Sequence, residues 1–448
     1  MNTPGSRLAV LPRPLDGRFA TSRGRAITCG AFLAEAMAWA ERLPDKPYAI
    51  NLCGDRYLFM TAFIAALLRG QCTLLPPCRQ ADALRALLRS FPDAYLLHDG
   101  VDAPPEAHEF QMASDLAATS PVETAPEVSA ERLAAIVFTS GSTGDSQAVR
   151  KTWRTLMDGA RVNLRYAGPD AGPEGGLLAT VPPGHMYGLE WSVMLPLVAN
   201  RTLCCDGAFF PDDIRLALEN LPRPRTLVST PLHLRALVKS GLRFPAVDTV
   251  LSATAPLDLD LAREVERQLA ARVLEIYGCS EAGSMACRWP VRDAAWRFFR
   301  EFNVDASGDR VRVSAAHLPD TIELVDRLEF HADGRFALRG RDGDLVKIAG
   351  RRASLCELNN RLLALDGVDD AIVFHPPAFG LEDSGRLAAL VVSSSRSADS
   401  IRRELARVVE RAFLPRPIRL VGSLPRSAAG KLRREDLLEL LGAERETA

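Results

Sequence analysis

Neither sign of charge is in excess: 55 lysines and arginines nearly cancel 56 aspartates and glutamates, leaving a formal charge of -1. Nothing in such a balance suggests a nucleic-acid or membrane surface. Long apolar runs are missing too. Residues 59–68 form the longest one in the N-terminal part, and a bilayer span takes about 20 residues. Residues 8–11 are too short for a signal-peptide core. The expectation is a soluble, cytoplasmic protein with no membrane span. The nine cysteines, at 29, 53, 72, 78, 204, 205, 279, 287 and 356, include no Cys-x-x-Cys pair and no histidine at zinc spacing. That excludes the common structural zinc sites, and an odd, scattered set reads as reduced thiols. No internal repeat or low-complexity tract is present. Gly-Lys-Ser/Thr is also absent, so the P-loop template fails, and with it a P-loop kinase or hydrolase.

A chain of 448 residues, 47% of them hydrophobic, is too long for one ordinary core and predicts two or three domains. Helical spacing marks residues 30–43, 56–69 and 81–90; apolar runs at 48–52, 72–75 and 94–97 read as strands. This alternation predicts an α/β fold with parallel sheets and helices. Residues 103–128, rich in Pro, Glu, Ala and Ser, read as a surface connection. The apolar run 133–138 reads as a buried strand. It breaks into Thr139-Ser140-Gly141-Ser142-Thr143-Gly144. Glycines allow positive φ and close approach of the backbone, successive amides form an anion-binding concavity, and the hydroxyls add donors. The stretch suits a phosphate-holding loop; its composition suits a flexible linker equally well.

Further on come a helix at 154–165 and a strand at 176–181, followed by His185 and Tyr187 just past the strand end, where ligand sites of α/β folds form. Strands at 225–230 and 249–252 end in Ser229 and in Ser252-Ala253-Thr254-Ala255. An apolar strand runs from 273 into Tyr277-Gly278-Cys279-Ser280-Glu281. Asp326 lies fifteen residues before Arg341, with two short strands around an Asp333-Gly334 turn between them. A compact α+β module follows, with helices at 357–365 and 400–412 and strands at 368–374 and 387–392. The chain then reads Pro425-Arg426-Ser427-Ala428-Ala429-Gly430-Lys431-Leu432-Arg433-Arg434.

From about residue 30 onward these motifs, in this order, resemble the adenylate-forming ligases: acyl-CoA synthetases, aryl-acid ligases, nonribosomal-peptide adenylation domains and luciferases. The resemblance implies a large N-terminal domain, 1–342, that binds ATP and the acid. It also implies a small mobile C-terminal domain, 343–448, hinged at Gly343. Residues 139–144 would hold the β- and γ-phosphates. Ala255, Tyr277 and Gly278 would meet adenine, Ser280 the α-phosphate and Glu281 a Mg²⁺ ion. Asp326 would hold the ribose diol, for which a carboxylate has two acceptor oxygens. Arg341 would reach ribose and phosphate, and Arg352 would lie at the same nucleotide site. His185, Tyr187, Ser229, Ser252, Ala253, Thr254 and Cys279 would line the pocket for a small carboxylic acid. Lys431 would be the catalytic lysine, bridging carboxylate and α-phosphate, with His185 and Arg341 beside the reacting groups. The implied reaction forms an acyl-adenylate and passes the acyl group to a phosphopantetheine thiol.

Two departures narrow the resemblance. The family's loop continues Pro-Lys-Gly, but here it reads Ser146-Gln147-Ala148; Lys151 is the candidate substitute for the missing lysine. Trp153 stands where many members have histidine. Together with the short chain, these look most like the ligases of aryl-polyene and xanthomonadin-type pigment clusters, which implies a hydroxybenzoate-type acid and an acyl carrier protein as acceptor. A coenzyme A ligase for a fatty or short-chain acid and a catalytically silent carrier-protein-binding scaffold are the alternatives.

Overall fold

The computed structural model describes residues 5–76, 79–100, 107–113, 120–139, 147–167, 174–207, 209–341, 345–348, 351–376, 386–426 and 432–442. The chain divides into two compact units: residues 1–303 with 313–322, and residues 304–312 with 323–448.

The first unit is built on two sheets. The six-stranded sheet has the spatial order Gln147–Thr152, Leu133–Thr139, Cys72–Leu75, Tyr48–Asn51, Ala94–His98, Glu109–Gln111. Every pairing in it is parallel except that between β1 (Leu133–Thr139) and β2 (Gln147–Thr152). The nine-stranded sheet runs Arg297–Phe298, Gly283–Arg288, Arg272–Cys279, Thr249–Ser252, Arg225–Ser229, Gly175–Ala179, Arg201–Cys204, Arg18–Ser22, Arg25–Thr28. Its interior is parallel and its margins antiparallel. The interior strands are buried along nearly their whole length, which is why they read as continuous apolar runs. Helix Arg56–Arg69 shows the local logic: the Asp55 side chain accepts the Leu58 amide proton at 3.1 Å, and Gly70 ends the helix at φ 91°.

Within the large sheet, β3 (Gly175–Ala179) is followed by Arg201–Cys204 on one side and by β4 (Arg225–Ser229) on the other, then by β5 (Thr249–Ser252) and β6 (Arg272–Cys279). The order therefore reverses between β3 and β4, and the carboxyl ends of those strands are the expected binding crevice of such a sheet.

Three sequence expectations change. Residues 103–128 are not only a connection: Glu109–Gln111 and Glu127–Ser129 are strands, which pair with Ala94–His98 and Arg7–Ala9. His185 and Tyr187, expected just past a strand end, stand at the start of helical structure: Met186–Gly188 is helical and continues as a π-helix, Leu189–Met194. The helix expected at 400–412 spans only Ala398–Leu405, and a 3₁₀ turn follows at Arg411–Phe413. Residues 406–408 form a turn in which the Val408 and Val409 amides both bond the Leu405 carbonyl, and Val409 is buried in the core. Among the described residues, seven cysteines are free, and no helix is long and apolar enough to cross a membrane.

The second unit has its own core, centred on Leu362, Val391 and Ile401. It carries the antiparallel pairs Asp326–Phe330 with Phe336–Arg341 and Leu345–Ile348 with Arg351–Ser354. Its three-stranded sheet comprises Asp370–Phe374, Ala388–Val392 and Ile418–Leu420.

Candidate functional site

The Ser/Thr/Gly stretch joins β1 to β2. Thr139 ends β1 and pairs with Gln147 of β2. Its side chain and residues Ser140, Gly141, Ser142, Thr143 and Gly144 lie outside the described residues. Strand β2 leads directly into helix α1 (Trp153–Tyr166), capped by Thr152, whose hydroxyl accepts the Thr155 amide proton at 3.2 Å. Trp153 is fully buried, and its Nε1 has no partner among the described residues.

The switch point collects polar groups at the strand ends. Thr180 Oγ1 lies 2.9 Å from Ser229 Oγ and 2.9 Å from His233 Nδ1. Thr230 caps the following helix and stands 3.3 Å from the same ring nitrogen. Burial lowers the His233 pKa from its ordinary 6.5. Ser252, in register with Ser229, is fully buried, and its hydroxyl has no partner among the described residues. Ala253 is buried, Thr254 half-buried and Ala255 exposed. Thr254 takes φ 79°, a conformation that costs a β-branched residue energy and that a glycine would adopt freely.

His185 caps the short helix after β3, its Nδ1 accepting the Tyr187 amide proton at 3.3 Å. Tyr187 is buried; burial first, and then the Glu190 carboxylate, push its phenol pKa well up, while the Ser229 backbone pulls it back. The turn carrying His185 is anchored from beneath by Arg56. Its guanidinium donates to the carbonyls of Ala179 at 3.0 Å and Val181 at 2.6 Å and to the Ser192 hydroxyl. Burial pulls the Arg56 pKa down to about 10.

The strand β6 carries Tyr277, buried against Trp296 with ring centroids 5.8 Å apart, and the exposed Gly278. It ends at Cys279, whose thiol is pushed up to about 12 by burial. Ser280 and Glu281 are half-buried in the turn before β7 (Gly283–Arg288). Lys151, only 2% exposed, donates from Nζ to the main-chain carbonyl of Glu281 at 2.7 Å. Burial lowers the Lys151 pKa, and the Glu190, Cys279 and Glu281 charges oppose it. Thus the structure brings Lys151, Cys279 and Glu281 together, and His185, Tyr187 and Ser229 together. It also adds Arg56, Thr180, Glu190 and His233, which the sequence reading missed. Buried polar side chains have no distinctive spacing; only the position of Thr180 and His233 beside the strand ends at 181 and 230 could have pointed to them.

In the second unit, Asp326 is half-buried and opposes Arg341 across the hairpin, with Gly334 at φ 80° in the turn. The side chains of Arg341 and Arg352, and all of Gly343 and Lys431, lie outside the described residues. Arg426, five positions before Lys431, forks onto Asp370 at 2.6 and 2.7 Å and bridges to Leu432.

Among the described residues no group of three His, Cys, Asp or Glu side chains could hold a metal. A single half-buried Glu281 is a donor set that suits Mg²⁺, which takes one or two protein carboxylates and otherwise phosphate and water oxygens.

Residues 47–306 match the family described as AMP-binding enzyme. The chain is 30% identical to a 4-coumarate--CoA ligase of Halorhodospira halophila over 309 residues, covering 66% of this chain and 73% of that protein. It is 26% identical to a 3-hydroxybenzoate--CoA ligase of an Aromatoleum species over 377 residues, covering 74% and 71%. In fold it is similar to the ATP-bound MatB from Rhodopseudomonas palustris, with a TM-score of 0.79, 19% identity and 96% coverage of each chain. It is likewise similar to the O-succinylbenzoate coenzyme A synthetase from Bacillus subtilis in complex with ATP and magnesium, with a TM-score of 0.78, 18% identity and coverage of 94% and 97%. With more than half of its length matched, the chain belongs to the AMP-binding enzyme family of adenylate-forming acid ligases.

Proposed function

We propose that the chain adenylates a hydroxybenzoate-type aryl acid with ATP and passes the acyl group to a phosphopantetheine thiol, in the cytoplasm. The observation that carries the choice of acid is the polar row at the switch point. Thr180, Ser229 and His233 are linked, and the buried Ser252 hydroxyl stands beside them. A fatty acyl chain would leave the Ser252 hydroxyl, which has no partner among the described residues, unsatisfied, at about 1–3 kcal/mol for a buried polar group. A ring hydroxyl supplies both a donor and an acceptor. The names of the relatives, 4-coumarate and 3-hydroxybenzoate ligases, point to the same acid class.

In the first half-reaction the carboxylate oxygen attacks the α-phosphorus of ATP and the bond to pyrophosphate breaks. The protein's part is positioning and charge neutralisation. Residues 139–144 would cradle the β- and γ-phosphates. Tyr277, Gly278 and Ala255 would take adenine, Ser280 the α-phosphate and Asp326 the ribose diol. Arg341, Arg352 and Lys431 would face the phosphate charge, with Lys431 at the reacting oxygens. Glu281 would hold Mg²⁺, which shields phosphate charge when bound. His185, Tyr187, Ala253, Thr254 and Cys279 would flank the acid. In the second half-reaction a thiolate attacks the acyl carbon, and AMP leaves with the bonding electrons.

The pigment-type departures at Gln147 and Trp153 favour an acyl carrier protein as acceptor. A second reading, free coenzyme A, is favoured by the relatives' names. Incubation with ATP, MgCl₂ and 3- or 4-hydroxybenzoate, followed by intact-mass analysis of a holo-carrier protein and of coenzyme A, tests both. A hydroxybenzoyl carrier supports the first acceptor and hydroxybenzoyl-CoA alone the second. No thioester on either sinks the ligase reading of this acid.

A further inference from the structure

We infer that Lys151 is a positioning residue that fixes Glu281 from beneath, and not a ligand of the nucleotide phosphates. The inference rests on the reading above that Glu281 holds Mg²⁺. Lys151 lies on the edge strand β2, opposite Ala135 of β1, where a register shift follows it at Thr152. Irregularities of this kind re-aim a side chain. The preceding Arg150 is exposed, while Lys151 is turned inward and buried. Its ammonium donates at 2.7 Å to the Glu281 carbonyl. A charged donor on a carbonyl is among the stronger hydrogen bonds available to a protein.

The same turn is also held at Ser284 by a buried acidic side chain. Glu190, from the π-helix Leu189–Met194, accepts the Ser284 amide proton at 3.1 Å and the Ser284 hydroxyl proton at 2.8 Å. Trp191 Nε1 donates to that same hydroxyl oxygen at 2.9 Å. The carboxylate passes so close to Gly283 that a Cβ there would meet Glu190 Oε1 at 2.3 Å. The turn is therefore held at Glu281 by Lys151 and at Ser284 by Glu190, each from a different element. Neither group is needed to fill space, since an apolar side chain of equal volume would do so without desolvating a charge. What the pair supplies is a fixed main-chain position at Glu281, from which its half-buried carboxylate projects.

A phosphate ligand and a positioning residue respond differently to magnesium. ATP binding to the full-length chain is measured by titration calorimetry in MgCl₂ and in EDTA. Lys151→Met is expected to weaken binding about tenfold in MgCl₂ and less than twofold in EDTA, with Lys151→Arg recovering most of the loss. In a Glu281→Gln background, Lys151→Met should add no further loss in MgCl₂. If Lys151→Met does not fold, Lys151→Arg is read alone: a smaller loss, again confined to MgCl₂. Equal losses in MgCl₂ and EDTA would make Lys151 a phosphate ligand and overturn the inference, as would unchanged binding in both. A wild-type chain whose ATP affinity ignores MgCl₂ would overturn the metal reading of Glu281 itself, and the inference with it.

Discussion

A methyl group on Gly188 would land 1.9 Å from the Pro182 carbonyl oxygen. That contact explains the glycine three positions after His185: the turn closes on its own backbone, and no side chain fits. Gly188→Ala should cost about 1–3 kcal/mol in urea unfolding, as overpacking does, and lower activity by displacing His185. The His233 ring gives a pH signature. Its folded pKa lies below the unfolded 6.5 because burial disfavours the charged ring. His317 is lowered likewise, by burial first and by Lys151 second. For both, the stability contribution is full above pH 6.5; as pH falls below that, the unfolded chain takes up protons that the folded rings refuse. Stability should therefore decline between pH 7 and 5, and His233→Asn should flatten part of that decline in unfolding curves taken across the range. At this scale motif spacing singled out His185, Tyr187 and Glu281 as candidates. It did not show His233, Arg56 or Glu190, because a buried polar residue carries no mark until the neighbours that satisfy it are known.

Among the elements, most helices and strands were legible from period and punctuation. The helices Arg56–Arg69 and Ala81–Ser90 and the strand Cys72–Leu75 stand where apolar spacing puts them. Strand Gln147–Thr152 did not announce itself, since Gln-Ala-Val-Arg-Lys-Thr shows no apolar alternation. It forms because an edge strand needs backbone partners on one side only, and β1 supplies them. The π-helix was hidden for a related reason: Leu189 to Met194 is buried on every side, so no amphipathic period survives. The Arg426–Asp370 fork is an element-scale device as well. It ties the strand Asp370–Phe374 to the residue just before the segment that carries Lys431. Breaking it with Asp370→Ala should slow adenylation several-fold. Thioester formation from supplied acyl-adenylate should be left nearly unchanged, which single-turnover assays of each half-reaction would separate.

For the whole molecule, α/β architecture with parallel sheets followed from the alternation of elements, and the family from the order of motifs. The nine-stranded sheet and its reversal between β3 and β4 were not legible, because strand order depends on long-range pairing that local sequence does not encode. We propose that the hinge lies at Gly343 and that Lys431 serves adenylation alone. Lys431→Ala should then abolish adenylate formation, while thioester formation from supplied acyl-adenylate persists; an equal loss of both half-reactions in a folded variant would contradict that role. The most direct test of the central claim is ATP–pyrophosphate exchange across a panel of acids: 3- and 4-hydroxybenzoate, benzoate, cinnamates, and short and long fatty acids. Exchange driven by a hydroxybenzoate well above the fatty acids is the predicted result. Exchange driven by fatty acids alone would contradict the polar acid site proposed around Thr180, Ser229, His233 and Ser252.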